Sequence, residues 1–152
     1  MPNKPHDDAL EEAGVWAKHY FLASRTLMES ILRPYDLGQT QWYVMHLLAT
    51  DGSLAQRDLP TTIGIQRATL SSIVGALVRK GLVTQEGSAT DQRQKTLALT
   101  DAGRELWQRL PDPIDVIATV AFGDVDPEDL ATTNRVLREA TARLNAYREK
   151  EL

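Results

Sequence analysis

The 152 residues contain no cysteine. That excludes a disulfide framework, a thiol redox switch and a cysteine nucleophile together, since each needs the sulfur. No apolar run approaches the length of about eighteen residues that suggests a membrane-spanning helix, so no membrane partner is expected. The opening MPNKPHDDALEEAG is acidic and polar and lacks the basic start and apolar middle of a secretory signal. A cytoplasmic protein is the expectation. Metal-ligand spacing is missing as well: His19 and His46 have neither cysteine nor a close acidic pattern around them. Serine, aspartate and histidine occur, but not in a recognisable nucleophile setting. The sequence therefore predicts no enzyme, no cofactor and no metal. A positive charge excess is also absent, the net charge being −4, which argues against a generic nucleic-acid binder.

What is present is distributed unevenly. Residues 51–100 hold six basic side chains, Arg57, Arg67, Arg79, Lys80, Arg93 and Lys95, against four acidic ones, a local balance of +2 that leaves −6 for the rest. Such a pattern fits a DNA-reading centre between acidic flanks. At this length, with 42% apolar residues, one domain with a substantial core is expected.

The centre is QRATLSSIVGALVRKGLVTQEGSATDQRQKTLAL, residues 66–99. Leu70, Ile73, Val74 and Leu77 recur at helical spacing and form one apolar stripe. The opposite face carries Ala68, Ser71, Ser72, Gly75 and Arg79, small and polar enough to press against something large. Gly81 stops the helix after Arg79 and Lys80, whose charges suit the negative end of its dipole. The period then changes. Leu82–Gln85 and Lys95–Leu99 read as two short strands joined by a polar tip, 86–93. Helix, strand, tip, strand is the pattern of a winged helix-turn-helix, in which the helix enters a major groove and the tip reaches a minor groove.

Around this centre, a long helix is expected from about Asp8 to Leu32, ended by Arg33-Pro34-Tyr35. A second runs from Gly38 to about Ala49, and Leu54 is placed to form a small edge strand beside the wing. Ala55–Thr62 reads as the first helix of the helix-turn-helix, distorted or 3-10-like because Pro60 lacks an N–H. Gly64-Ile65 is the turn. Thr100-Asp101-Ala102-Gly103 starts a helix to about Leu110, Pro111-Asp112-Pro113 interrupts it, and 114–122 continues it. Asp126-Pro127-Glu128-Asp129 is a strong start for a last helix running to about Arg148.

Lys80-Gly81-Leu82-Val83, Asp91-Gln92-Arg93 and Leu99-Thr100-Asp101-Ala102-Gly103, in this order and spacing, closely resemble the MarR (multiple antibiotic resistance regulator) family of bacterial transcription factors. Leu37-Gly38-Gln39-Thr40-Gln41-Trp42 matches the beginning of that family's second helix. The resemblance covers roughly 8–150 in layout and is strongest over 37–106. It implies a mainly α fold with a small β-hairpin wing: a winged helix-turn-helix lobe at about 37–99, and dimerisation helices at about 8–33 and 100–150. The sequence departs from the family pattern at Ala55, where a serine or threonine cap is usual, at Pro60, where alanine is typical, and at Ser72, where a long basic side chain is common.

The expected DNA contacts follow. Gln66, Arg67, Ala68, Ser71 and Ser72 face the groove, with Thr69 to the side; glutamine pairs with adenine and arginine with guanine. Arg79, Lys80 and Lys95 are expected on phosphates. Arg93 is expected in a minor groove, oriented or anchored by Asp91, as the matching family positions are. The terminal helices have apolar stripes and no evident partner within one winged helix, and the resemblance implies that they pair across a two-fold axis, making a homodimeric repressor on a pseudo-palindromic operator in double-stranded DNA. The family commonly binds small aromatic or phenolic acids. Trp16, His19, Tyr20, Arg25, Trp42 and His46 are the candidates here, and the same side chains also suit core or dimer packing. Two alternatives stay open: a winged helix used for protein contacts, and a DNA-binding regulator with no ligand.

Overall fold

Residues 5–87 and 94–151 are described by the computed structural model. Asp91 and Arg93 lie outside the described residues. The first helix, α1, spans Pro5–Leu32 and begins three residues before the expected Asp8. Proline at a first helical position loses no hydrogen bond, because that N–H has no partner in the helix anyway. A 3-10 turn, Arg33–Tyr35, ends in Asp36, whose φ of 54° is left-handed. Helix α2 then runs Gln39–Asp51, with the Gln41 side chain accepting from the Gly38 N–H at 3.2 Å.

Strand β1, Leu54–Ala55, is the expected edge strand. The first helix of the helix-turn-helix divides into a 3-10 turn, Gln56–Asp58, and a short α3, Leu59–Ile63. Pro60 falls within the first turn of α3, where its missing N–H costs least. Helix α4 is Arg67–Arg79, with Gln66 as its N-cap in extended conformation. Its stripe is as the period predicts, with Leu70, Val74 and Leu77 buried, though Ile73 is only half-buried.

Gly81 closes α4 with φ 73°. Its N–H donates to Val78 and the Leu82 N–H to Leu77, the paired bonds that satisfy the last carbonyls of a helix. Strand β2, Val83–Gly87, runs two residues past the expected end, and β3 is Lys95–Leu99. The sheet order is β1-β3-β2, antiparallel throughout, with Leu54 opposite Leu97 and Val83 opposite Leu99. Helix α5, Asp101–Arg109, is capped by Thr100, whose Oγ1 accepts from the Gly103 N–H at 3.0 Å and donates to the Gly81 carbonyl at 2.6 Å.

The core of this part joins Met28 and Leu32 of α1 to Trp42, Val44, Met45 and Leu48 of α2, the α4 stripe, and Val83, Leu97 and Leu99 of the sheet. Helix α2 is its hub, packing against α1, α4, α5 and β3.

Leu110 is extended ahead of Pro111, as the residue before a proline tends to be. The chain divides into two compact units at this interruption, one up to Pro113 and one from Ile114. The second unit holds α6, Pro113–Phe122, from its second residue on, and α7, Pro127–Glu151, the latter begun by Asp126, whose carboxylate accepts from the Glu128 N–H at 2.8 Å.

Candidate nucleic-acid interface

The face of α4 opposite its apolar stripe is open. Gln66, Arg67, Ala68, Thr69, Ser71 and Ser72 are all exposed, and Arg79, the last residue of the helix, is exposed too. Alternation of burial and exposure at helical period fixes this outcome: turning Leu70, Val74 and Leu77 inward turns the small polar residues outward.

At the N-terminal end of α4 a concavity of about 220 Å³ is lined by Arg57 and Gln56 from the 3-10 turn, Arg67 and Ser71 from α4, and Lys95 from β3. Three cations thus converge where the helix-turn-helix meets the wing. Gln85 on β2 donates to Gln56 at 2.6 Å and holds the wing to the 3-10 turn. Lys95 stands opposite Gly87, at the last described pair of the hairpin. An anion placed at this concavity meets cationic side chains from three different elements. Arg57 and Gln56 had not been singled out from the sequence. The signal available was Arg57 itself, a cation ten residues ahead of α4, but its convergence with Lys95 depends on sheet register.

Lys80 has partners within the chain that the sequence does not signal. Its ammonium donates to the Asp36 carbonyl oxygen and to Gln41 Oε1, the latter at 3.0 Å, with the Asp36 carboxylate at 3.6 Å.

The six ligand candidates fall into two groups. On α1, Trp16 meets His19 edge-on at 5.4 Å and donates to Glu12, while Arg25 pairs with Glu29 at 3.7 Å. Tyr20 is exposed on the same helix, and Trp16 is 62% exposed. On α2, Trp42 is 1% exposed and belongs to the core. It stacks on His46, centroids 5.0 Å apart and planes 9° apart, and both rings meet Trp107 of α5 at 5.6 and 5.8 Å. The Trp42 indole N–H is buried with no protein partner. Trp107 also lines a cavity of about 430 Å³, together with Leu48, Leu99, Arg104 and Gln108. None of the six candidates lines it. Nothing in local spacing brings Trp107 to Trp42, so the sequence does not signal this cluster. Among the described residues no cluster of three metal-ligating side chains occurs, and no helix is long and apolar enough to cross a membrane.

Residues 35–94 match the family model described as MarR family. The HTH-type transcriptional regulator FarR of Neisseria gonorrhoeae is 32% identical over 93 residues, 61% of this chain, and the chain spans 64% of that relative's length. Among solved structures, a mutant MarR from E. coli complexed with operator DNA superposes with a TM-score of 0.75 at 16% identity, covering 91% of this chain and 99% of that one. Bordetella bronchiseptica BpsR, whose DNA binding is regulated by 6-hydroxynicotinic acid, gives 0.74 at 19% identity, covering 86% and 98%. These likenesses establish the winged-helix fold of such regulators.

Proposed function

We propose, from the match of residues 35–94 to the MarR family model, that the protein is a sequence-specific DNA-binding transcriptional regulator, a homodimeric repressor released by a small aromatic acid. The observation that carries the reading is the exposed face from Gln66 to Ser72 beside the concavity of Arg57, Arg67 and Lys95. A small polar helix face admits a groove floor, and cations at its start meet the adjoining phosphates. Exposed apolar side chains on α1 (Trp16 and Phe21) and on α7 (Leu144 at 72%, and Tyr147) support a dimer built by those helices, because apolar patches of this kind mark partner surfaces.

Fluorescence anisotropy on the DNA upstream of the protein's own gene tests the DNA half. Arg67→Ala is expected to weaken operator binding by about tenfold. Lys95→Ala is expected to lower the slope of log affinity against log salt by about one. Binding that ignores salt and does not favour this duplex over random DNA points instead to a protein-contact module.

The cavity of about 430 Å³ beside Trp107, walled by Leu48, Leu99 and Arg104, supports an effector that offers a ring and a carboxylate. Titration with hydroxybenzoic and hydroxynicotinic acids is expected to change tryptophan fluorescence saturably and to release DNA over the same concentration range. A ligand shifts the equilibrium only by its preference for the non-binding geometry. Saturable binding with unchanged DNA affinity rejects the effector role.

A further inference from the structure

Lys80 caps the C-terminal end of α4, and Gln66 caps the other. At 1.5 Å per residue, roughly 20 Å of helix separates them. An ammonium has three donors. Here one goes to the Asp36 carbonyl and one to Gln41 Oε1, and the Lys80 side chain is only 29% exposed. The Asp36 carboxylate at 3.6 Å is 95% exposed and contributes little by itself. The two uncharged oxygens are the firmer anchors. Each belongs to a fixed point. Asp36 ends the 3-10 turn after α1 in a left-handed conformation and bonds back to the Arg33 carbonyl at 3.1 Å. The Gln41 oxygen also accepts from the Gly38 N–H and so starts α2. One side chain thus ties the end of the recognition helix to the α1–α2 junction.

The wing leaves from the same place. Leu82, two residues on, accepts at its carbonyl from the Thr100 N–H at 3.0 Å, and Thr100 bonds to Gly81. Whatever holds Lys80 therefore holds the root of both elements that reach DNA.

Resting on the regulator reading above, we propose that Lys80 is a positioning residue for sequence discrimination, setting the angle of α4 rather than gripping a phosphate. The lever arm makes this consequential. A tilt of about 5° at the Lys80 end displaces the Gln66 end by about 2 Å, far more than a base-edge hydrogen bond tolerates. Long lysine and arginine side chains on phosphates absorb such a shift, and they carry affinity without carrying sequence. Loss of the Lys80 anchor therefore falls on the preference for operator over other DNA.

The test uses the full-length protein, an operator duplex that the wild type selects from a random pool, and a scrambled duplex of equal length. Lys80→Met keeps the stem and removes the donors. It is expected to weaken operator binding by about tenfold and scrambled binding by less than about twofold, with the salt slope unchanged. Gln41→Met is expected to show the same signature, and the double variant to lose no more than the worse single one, because both break one linkage. Loss on both duplexes with a salt slope reduced by about one makes Lys80 a phosphate contact and overturns the proposal. Equal loss on both duplexes with an unchanged slope and a lower urea midpoint makes its role one of stability alone, and also overturns it. So does unchanged discrimination. A wild type that selects no duplex overturns the regulator reading, and this one with it.

Discussion

Gly103→Ala is expected to lower the stability of the protein by about 3 kcal/mol or more, read as a large fall in the urea midpoint at an unchanged slope. A methyl group on Gly103 would stand well inside van der Waals distance of the Leu82 carbonyl oxygen, 3.1 Å from its carbonyl carbon and 3.4 Å from Leu99 Cδ2. The obstacle is backbone on one side and a buried leucine on the other. Neither moves cheaply in an interior packed at crystal-like density. The Leu82 oxygen is already committed to the Thr100 N–H, and Gly103 donates its own N–H to the Thr100 hydroxyl. Displacing α5 to relieve the clash thus breaks the cap that starts it and loosens the wing root. Overpacking costs about 1–3 kcal/mol where side chains can adjust, and each broken hydrogen bond adds about 1 kcal/mol. A midpoint within error of the wild type would mean that α5 and the α4–β2 junction do not approach as the structure places them.

The same position shows what the sequence displays and what it hides. Thr100-Asp101-Ala102-Gly103 reads plainly as a helix start, because a threonine cap before an acidic first turn is a local signal. That Gly103 must lack a side chain depends on Leu82, 21 residues earlier, and no local pattern reports it. The recognition helix and the strands were legible for the opposite reason. Periods of 3.6 and 2 follow from burying one face, and Leu70, Val74, Leu77, Val83, Leu97 and Leu99 are all buried as those periods require. Charge was harder to place. Lys80 follows Arg79 on the chain and looked equivalent to it, yet Arg79 is exposed while Lys80 is held by Asp36 and Gln41. A cation's partner is set by what folding brings within reach of its four-carbon stem. Trp42 and His46 were legible as one helical face, four residues apart. Their contact with Trp107 was not, since it depends on how α2 and α5 cross.

Ser71→Glu is expected to weaken operator binding by about a hundredfold or more while leaving the urea midpoint within about 0.5 kcal/mol of the wild type. Ser71 is exposed on α4 and makes no packing contribution to the core. Glutamate is also a slightly better helix former than serine, so the fold has no reason to suffer. Two effects of the same sign act on the complex. On the regulator reading, the new carboxylate faces the phosphates that line a groove, and juxtaposed like charges cost several kcal/mol where water is excluded. It also enters the concavity of Arg57, Arg67 and Lys95, where it would satisfy cations that DNA otherwise meets. At 1.4 kcal/mol per factor of ten, about 3 kcal/mol accounts for the hundredfold loss. Ser71→Ala keeps the space and removes only the hydroxyl, so it is expected to cost less than about tenfold. Anisotropy on the selected duplex separates the two. If the glutamate variant binds as tightly as the wild type, the exposed face of α4 does not lie in the groove. The DNA-contacting surface would then have to be sought away from the face that the period of the sequence turns outward.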